Sequence, residues 1–111
     1  MPVLKKETTP PTIVKEGIER RLVNTSNLMM AVIDFRNGPW SQPDPMHHHV
    51  HEQTTYVAEG EIIFFCEGEK DQTLNAGDMF WVPSNKKHSI QLLSKEAKLI
   101  DSFNPIREDF I

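Results

Sequence analysis

This 111-residue sequence has a single cysteine, Cys66, so no internal disulfide framework braces it. It has no basic excess. The formal charge is -4 and the pI about 5.7, which excludes the positive footprint of a nucleic-acid-binding surface. No apolar run approaches the roughly 20 residues of a membrane span. Residues 1–11 also lack the central apolar stretch of a secretory signal. A cytoplasmic protein that engages neither nucleic acid nor membrane is the expectation. Helical patterning is missing as well, since no stretch of a dozen residues carries apolar side chains at a 3.6-residue period.

What is present is a series of short apolar runs separated by turn residues, at the roughly ten-residue spacing of a sandwich or barrel. Runs at 18–23, 28–35, 54–58, 62–66, 72–74, 79–82, 88–93 and 98–103 are the candidate strands. The turns between them are rich in Asn, Gly, Asp and Pro, as in Asn75-Ala76-Gly77-Asp78 and Pro83-Ser84-Asn85. The fold class is all-β, a double-sheet jelly roll or small barrel. Residues 1–11, with Pro2, Pro10 and Pro11, read as a loosely ordered arm, and residues 12–111 as one domain. Sheet edges remain in such a sandwich, and a homodimer is one way to cover them.

Histidine is confined to two places. Four of the five lie in His47-His48-His49-Val50-His51 and the fifth is His88. Neutral imidazole is the commonest side-chain metal ligand, so a mononuclear metal site is the first hypothesis. On an extended strand His47, His49 and His51 share one face, with His47 and His49 about 7 Å apart. Gln53 would lie about 13 Å beyond His49 on a straight strand. It joins only if the chain bends between Val50 and Glu52 or if Gln53 starts the next strand. His51 would then sit in the bend, a weaker candidate.

The string His47-x-His49-x-x-x-Gln53-x-x-Tyr56-Val57-x-x-Gly60 resembles the first signature of the cupin family. Gly77-Asp78 with Pro83-x-Asn85-x-x-His88 resembles the second. The resemblance implies a double-stranded β-helix jelly-roll barrel holding one divalent metal ion (nickel, zinc, iron or manganese), with His47, His49, Gln53 and His88 as ligands. Two positions depart from the family pattern. Gln53 stands where glutamate is usual, and Asn85 where glycine is usual; asparagine tolerates a left-handed turn better than most residues. Three imidazoles and one amide oxygen are all neutral, so a bound ion keeps its full charge, which favours a Lewis-acid role.

A closer resemblance lies in Gly17-Ile18-Glu19-Arg20-Arg21, in the stretch from His51 to Val57, and in Asp101-x-Phe103-x-Pro105-x-Arg107-Glu108-Asp109-Phe110. These are similar to the small pectin-degradation cupins of the KdgF type. That family is associated with converting 4,5-unsaturated monouronates into linear keto sugars. Asp101 and Phe103, two apart on the last strand, can both face the interior. Asp101 is the candidate acid/base, Arg107 the carboxylate anchor with its planar fork, and Phe103 an apolar platform for the sugar. Each has a plainer role available: Asp101 as hydrogen-bond acceptor for a ligand histidine, Arg107 as a surface ion pair, Phe103 as core. A metal-dependent oxygenase and a non-enzymatic sugar-binding module are the alternative functions. His48, Val50 and the segment 41–45 differ from the close family and bear on the pocket entrance.

Overall fold

The computed structural model describes residues 2–111. Nine strands follow one another: β1 (Thr12–Lys15), β2 (Ile18–Asn24), β3 (Met29–Phe35), β4 (Glu52–Glu59), β5 (Glu61–Cys66), β6 (Gln72–Asn75), β7 (Met79–Val82), β8 (His88–Leu92) and β9 (Ala97–Asn104). Single turns of 3-10 helix occur at Lys6–Thr8 and Glu108–Phe110. The strands form a six-stranded sheet in the order β1-β2-β3-β9-β4-β7 and a three-stranded sheet in the order β6-β5-β8. Every pairing is antiparallel. The two antiparallel sheets make a jelly roll.

Alternation explains the inner and outer faces. In β5 every second residue (Ile62, Phe64, Cys66) is buried, and β4 buries Gln53, Thr55 and Val57 in the same rhythm. Register carries each inward residue across the large sheet: Leu22, Ala31, Asp101 and Thr55 form one row, and Met29, Phe103, Gln53 and Val82 another. Phe64 of the small sheet stacks on Phe80 of the large one, with ring centroids 4.0 Å apart. Around that stack Val57, Ile62, Val82, Leu92 and Leu99 build the main core. A smaller cluster of Met29, Ala31 and Phe103, with Ile106 and Phe110 packed on it, closes the other end. Cys66 is buried.

Two features depart from the sequence reading. β1 was not among the candidate strands: all four of its residues are exposed and a register shift breaks its pairing, so no apolar alternation announces it. Just ahead of β1 a 3-10 turn spans Lys6–Thr8, and the Thr9 carbonyl accepts a hydrogen bond from Arg21 Nε at 2.8 Å. The histidine segment is not an extended strand. His47 forms an isolated bridge with His88, and the chain then bends at Val50 and His51 before β4 begins at Glu52.

Gly60 shows why one turn needs glycine. Its φ is +88°, and a Cβ there would lie 2.3 Å from the Glu96 carbonyl oxygen. The close approach of the β4–β5 turn to the start of β9 depends on that missing atom.

Candidate metal centre

Backbone hydrogen bonds, not a sheet ladder, fix the histidine segment. His47 and His88 exchange N–H···O bonds of 3.0 and 2.9 Å. The Asn85 N–H donates to the His49 carbonyl at 2.7 Å, and the Ser84 hydroxyl donates to the Val50 carbonyl at 2.6 Å. Asn85 does so from a left-handed conformation, φ 62°, the geometry that suits glycine or asparagine. The turn after β7 therefore grips the histidine segment as it bends.

The bend satisfies both conditions under which Gln53 could join the histidines: the chain turns at Val50–His51, and Gln53 is the second residue of β4. One ring nitrogen each from His47, His49 and His88 lies within 4.8 Å of the others. His49 Nε2 is 3.2 Å from Gln53 Oε1. His51 is outside the three-histidine group, its ring centroid 5.5 Å from that of His49.

Hydrogen bonding decides which nitrogens face the centre. Each imidazole directs Nδ1 to a backbone carbonyl: His47 to Pro45 (3.4 Å), His49 to His51 (2.9 Å) and His88 to Lys86 (2.8 Å). With Nδ1 donating, Nε2 of each neutral ring is a bare lone pair, the tautomer that metal-binding histidines adopt. Burial pushes the His88 pKa down to about 4, and desolvation followed by the charge of Arg107 lowers that of His49. Both rings are therefore neutral at pH 7.

A cation fits this donor set. His88 Nε2 is buried without a partner. The amide of Gln53 is oriented by its own Nε2, which donates to Thr55 Oγ1 at 2.9 Å, leaving Oε1 toward His49. Two lone pairs, His49 Nε2 and Gln53 Oε1, thus confront each other at 3.2 Å, an arrangement that is repulsive until a positive ion lies against both.

Behind the histidine cluster and Gln53 lies Asp101. The Thr55 hydroxyl donates to its Oδ1 at 2.6 Å, so Gln53, Thr55 and Asp101 form one relay. None of the three clustered histidines gives its Nδ1 to Asp101. Burial pushes the Asp101 pKa up to about 6, with the Thr55 hydrogen bond and the charge of Arg107 opposing. Phe103 is only 2% exposed; it belongs to the smaller core cluster and meets His49 edge to face at 5.9 Å. It is a buried wall beneath His49. Arg107 is paired with Asp109 through Nε (3.3 Å) and Nη2 (2.7 Å), and its guanidinium lies over Phe110, 4.1 Å from the ring centroid. Its side chain is nevertheless mostly buried.

One cavity of about 320 Å³ joins these groups: His47, Gln53, His88, Asp101, Phe103 and Arg107 all line it. Sequence reasoning missed Thr55, Arg20 and Phe110. Arg20 and Phe110 border the same cavity, and Thr55 touches its carboxyl from behind. Register brings Thr55 and Arg20 there, and the 3-10 turn after β9 brings Phe110.

The jelly roll and its histidine cluster define the class, and the family model for the cupin domain matches residues 38–103. The chain belongs to the cupin family. It is 35% identical over 106 residues to the pectin degradation protein KdgF of Dickeya dadantii (strain 3937), covering 95% of this chain and 94% of that protein. Among solved structures it is similar to KdgF from Halomonas sp., with TM-score 0.86, 29% identity, and coverage of 96% of this chain and 97% of that one. An RmlC-like cupin from Shewanella frigidimarina NCIMB 400 gives TM-score 0.86 and 33% identity, covering 97% of this chain and 94% of that one.

Proposed function

We propose that this protein is a metal-dependent cupin that opens 4,5-unsaturated monouronates and tautomerises them to linear keto sugars. The observation that carries the reading is a buried carboxyl, Asp101, in the same cavity as the histidine cluster and two guanidinium groups. Likeness to a pectin degradation protein over nearly the whole chain supports the substrate class.

The reaction is an isomerisation and needs no net proton. The C1 hydroxyl loses its proton, the bond from C1 to the ring oxygen breaks, and that oxygen leaves as an enol at C5. The enol then loses its O–H proton while C4 gains one. A group that takes and returns protons near neutral pH suits both halves, and Asp101, with a pKa pushed up to about 6, has that property. Thr55 holds the carboxyl in place through Oδ1, which leaves Oδ2 for proton transfer. Phe103 and the apolar wall below it exclude water from that side. A divalent ion held by His47, His49, His88 and Gln53 would supply Lewis-acid polarisation of a substrate oxygen.

The site of action in this proposal is the cytoplasm, and the working form is a homodimer. Edge strand β7 supports the second point, with exposed Met79 and Trp81 beside Tyr56 on the outer face of its sheet.

Proton NMR of freshly generated unsaturated galacturonate tests the reading. Metal-loaded protein should accelerate loss of the cyclic vinylic signal and yield the linear keto product, whereas Asp101→Ala should not. Absence of acceleration by folded, metal-loaded protein would overturn the proposal for this substrate.

A further inference from the structure

Arg20 is a charged group of the cavity that the reaction above leaves without a task. It projects from the inner face of β2, in register with Ile33 and, through it, Leu99, one row from Asp101. Its guanidinium carbon lies 3.8 Å from the centroid of Phe110, and that of Arg107 lies 4.1 Å from the same ring. Two cations thus share one aromatic side chain at the wall of the cavity.

They differ in what they hold. Arg107 directs Nε and Nη2 to Asp109, so the side-on edge of its fork is filled. Among the described residues Arg20 has no such partner, and its Nε is buried without any hydrogen bond. Of the neighbouring carboxylates, Asp109 is paired with Arg107 and Asp101 holds Thr55 through Oδ1; neither is hydrogen-bonded to Arg20. A buried guanidinium donor left unpaired is costly, and an arriving carboxylate is the acceptor whose planar shape matches it. Desolvation and the charge of Arg107 both weigh on the Arg20 cation, and the charge of Asp109 offsets them only in part.

We infer that Arg20 is the residue that receives the substrate carboxylate, while Arg107, closed by Asp109, seats Phe110 against the cavity wall. The inference rests on the sugar-acid reading and deepens it. It also orients the substrate, with the carboxylate toward β2 and the reacting hydroxyl toward Asp101 and the histidines.

The test is binding of D-galacturonate against D-galactose, by calorimetry or NMR titration, to the metal-loaded protein and to its Arg20→Met and Arg107→Met variants. The methionine keeps an apolar stem against Phe110 and removes only the fork. The intact protein should prefer the acid. Arg20→Met should lose about tenfold or more of that preference, the weight of a charge-assisted hydrogen bond, and Arg107→Met should keep most of it. Arg20→Lys, which presents a point charge without a fork, should recover part, and it serves as the second variant if Arg20→Met does not fold. Preference kept in Arg20→Met and Arg20→Lys but lost in Arg107→Met would overturn the inference and leave the sugar-acid reading standing. Equal binding of acid and neutral sugar by the intact protein would overturn both.

Discussion

The hydroxyl of Thr55 gives its proton to Asp101 Oδ1 at 2.6 Å while its oxygen accepts the Gln53 amide at 2.9 Å. One small side chain therefore orients both the amide that faces the histidines and the carboxyl behind them. Thr55→Val keeps the shape and removes both bonds, leaving two buried polar groups unpaired. A loss of about 1–3 kcal/mol is expected in urea unfolding. The Thr55 bond holds the Asp101 pKa down against burial. Without it the acidic limb of the pH–rate profile should move to higher pH.

Metal should be a stabilising ligand, since three bare imidazole nitrogens converge only in the folded chain. An ion present at about 100 times its dissociation constant adds roughly 2.7 kcal/mol. Thermal melts with added zinc and with a chelator should differ accordingly. His88→Ala, which removes a buried ligand, should abolish that difference. A metal-independent melting temperature in the intact protein would contradict the assignment.

The metal-free protein makes a pH prediction with two opposing parts. The folded His88 pKa is depressed from 6.5 to about 4, so its contribution to stability is fully present above 6.5 and is lost as pH falls through 4. The folded Asp101 pKa is raised from 3.8 to about 6, so its contribution is present below 3.8 and is lost as pH rises through 6. Between those limits the two slopes cancel. Asp101→Asn removes the second and unmasks the first. Denaturant midpoints of the metal-free variant should then climb with pH by up to about 1.4 kcal/mol per unit, reduced by solvent screening at the cavity mouth. A flat profile in the variant would refute this account.

Asn85 links backbone conformation to the site. At φ 62° it donates its N–H to the His49 carbonyl. Asn85→Gly should be nearly neutral, whereas Asn85→Val, β-branched in a left-handed conformation, should cost about 1–2 kcal/mol. The valine variant should also bind metal more weakly, because the turn that holds His49 is disturbed. Metal titration of the two variants side by side checks this.

Much of the candidate site was legible in the sequence because its proposed ligands are local. His47, His49 and Gln53 lie within seven residues, and His88 follows a turn whose Pro83 and Asn85 are visible by type. Strands such as β5 announced themselves as short apolar runs bounded by turn residues. Thr55 was hidden because its importance comes from pairing with Asp101, 46 residues away, through the β4–β9 register. Arg20 and Phe110 meet across nearly the whole chain, and no periodicity encodes that. The histidine segment misled because alternation assumes a ladder. Here the turn around Ser84 and Asn85 supplies the partners instead, and the chain bends where a strand would continue.

The place of β9 between β3 and β4 has a kinetic consequence. Six-sevenths of the sequence precedes this strand, yet it is the seam of the large sheet, pairing Ala31 with Asp101 and Thr55 with Asp101. Until it inserts, β3 and β4 have no common neighbour, and the relay behind Gln53 has no far end. Pairings of such long sequence separation form slowly. During synthesis the histidines emerge first and must wait for residues 97–104, so the histidine cluster and the carboxyl behind it take their final places together, late in folding.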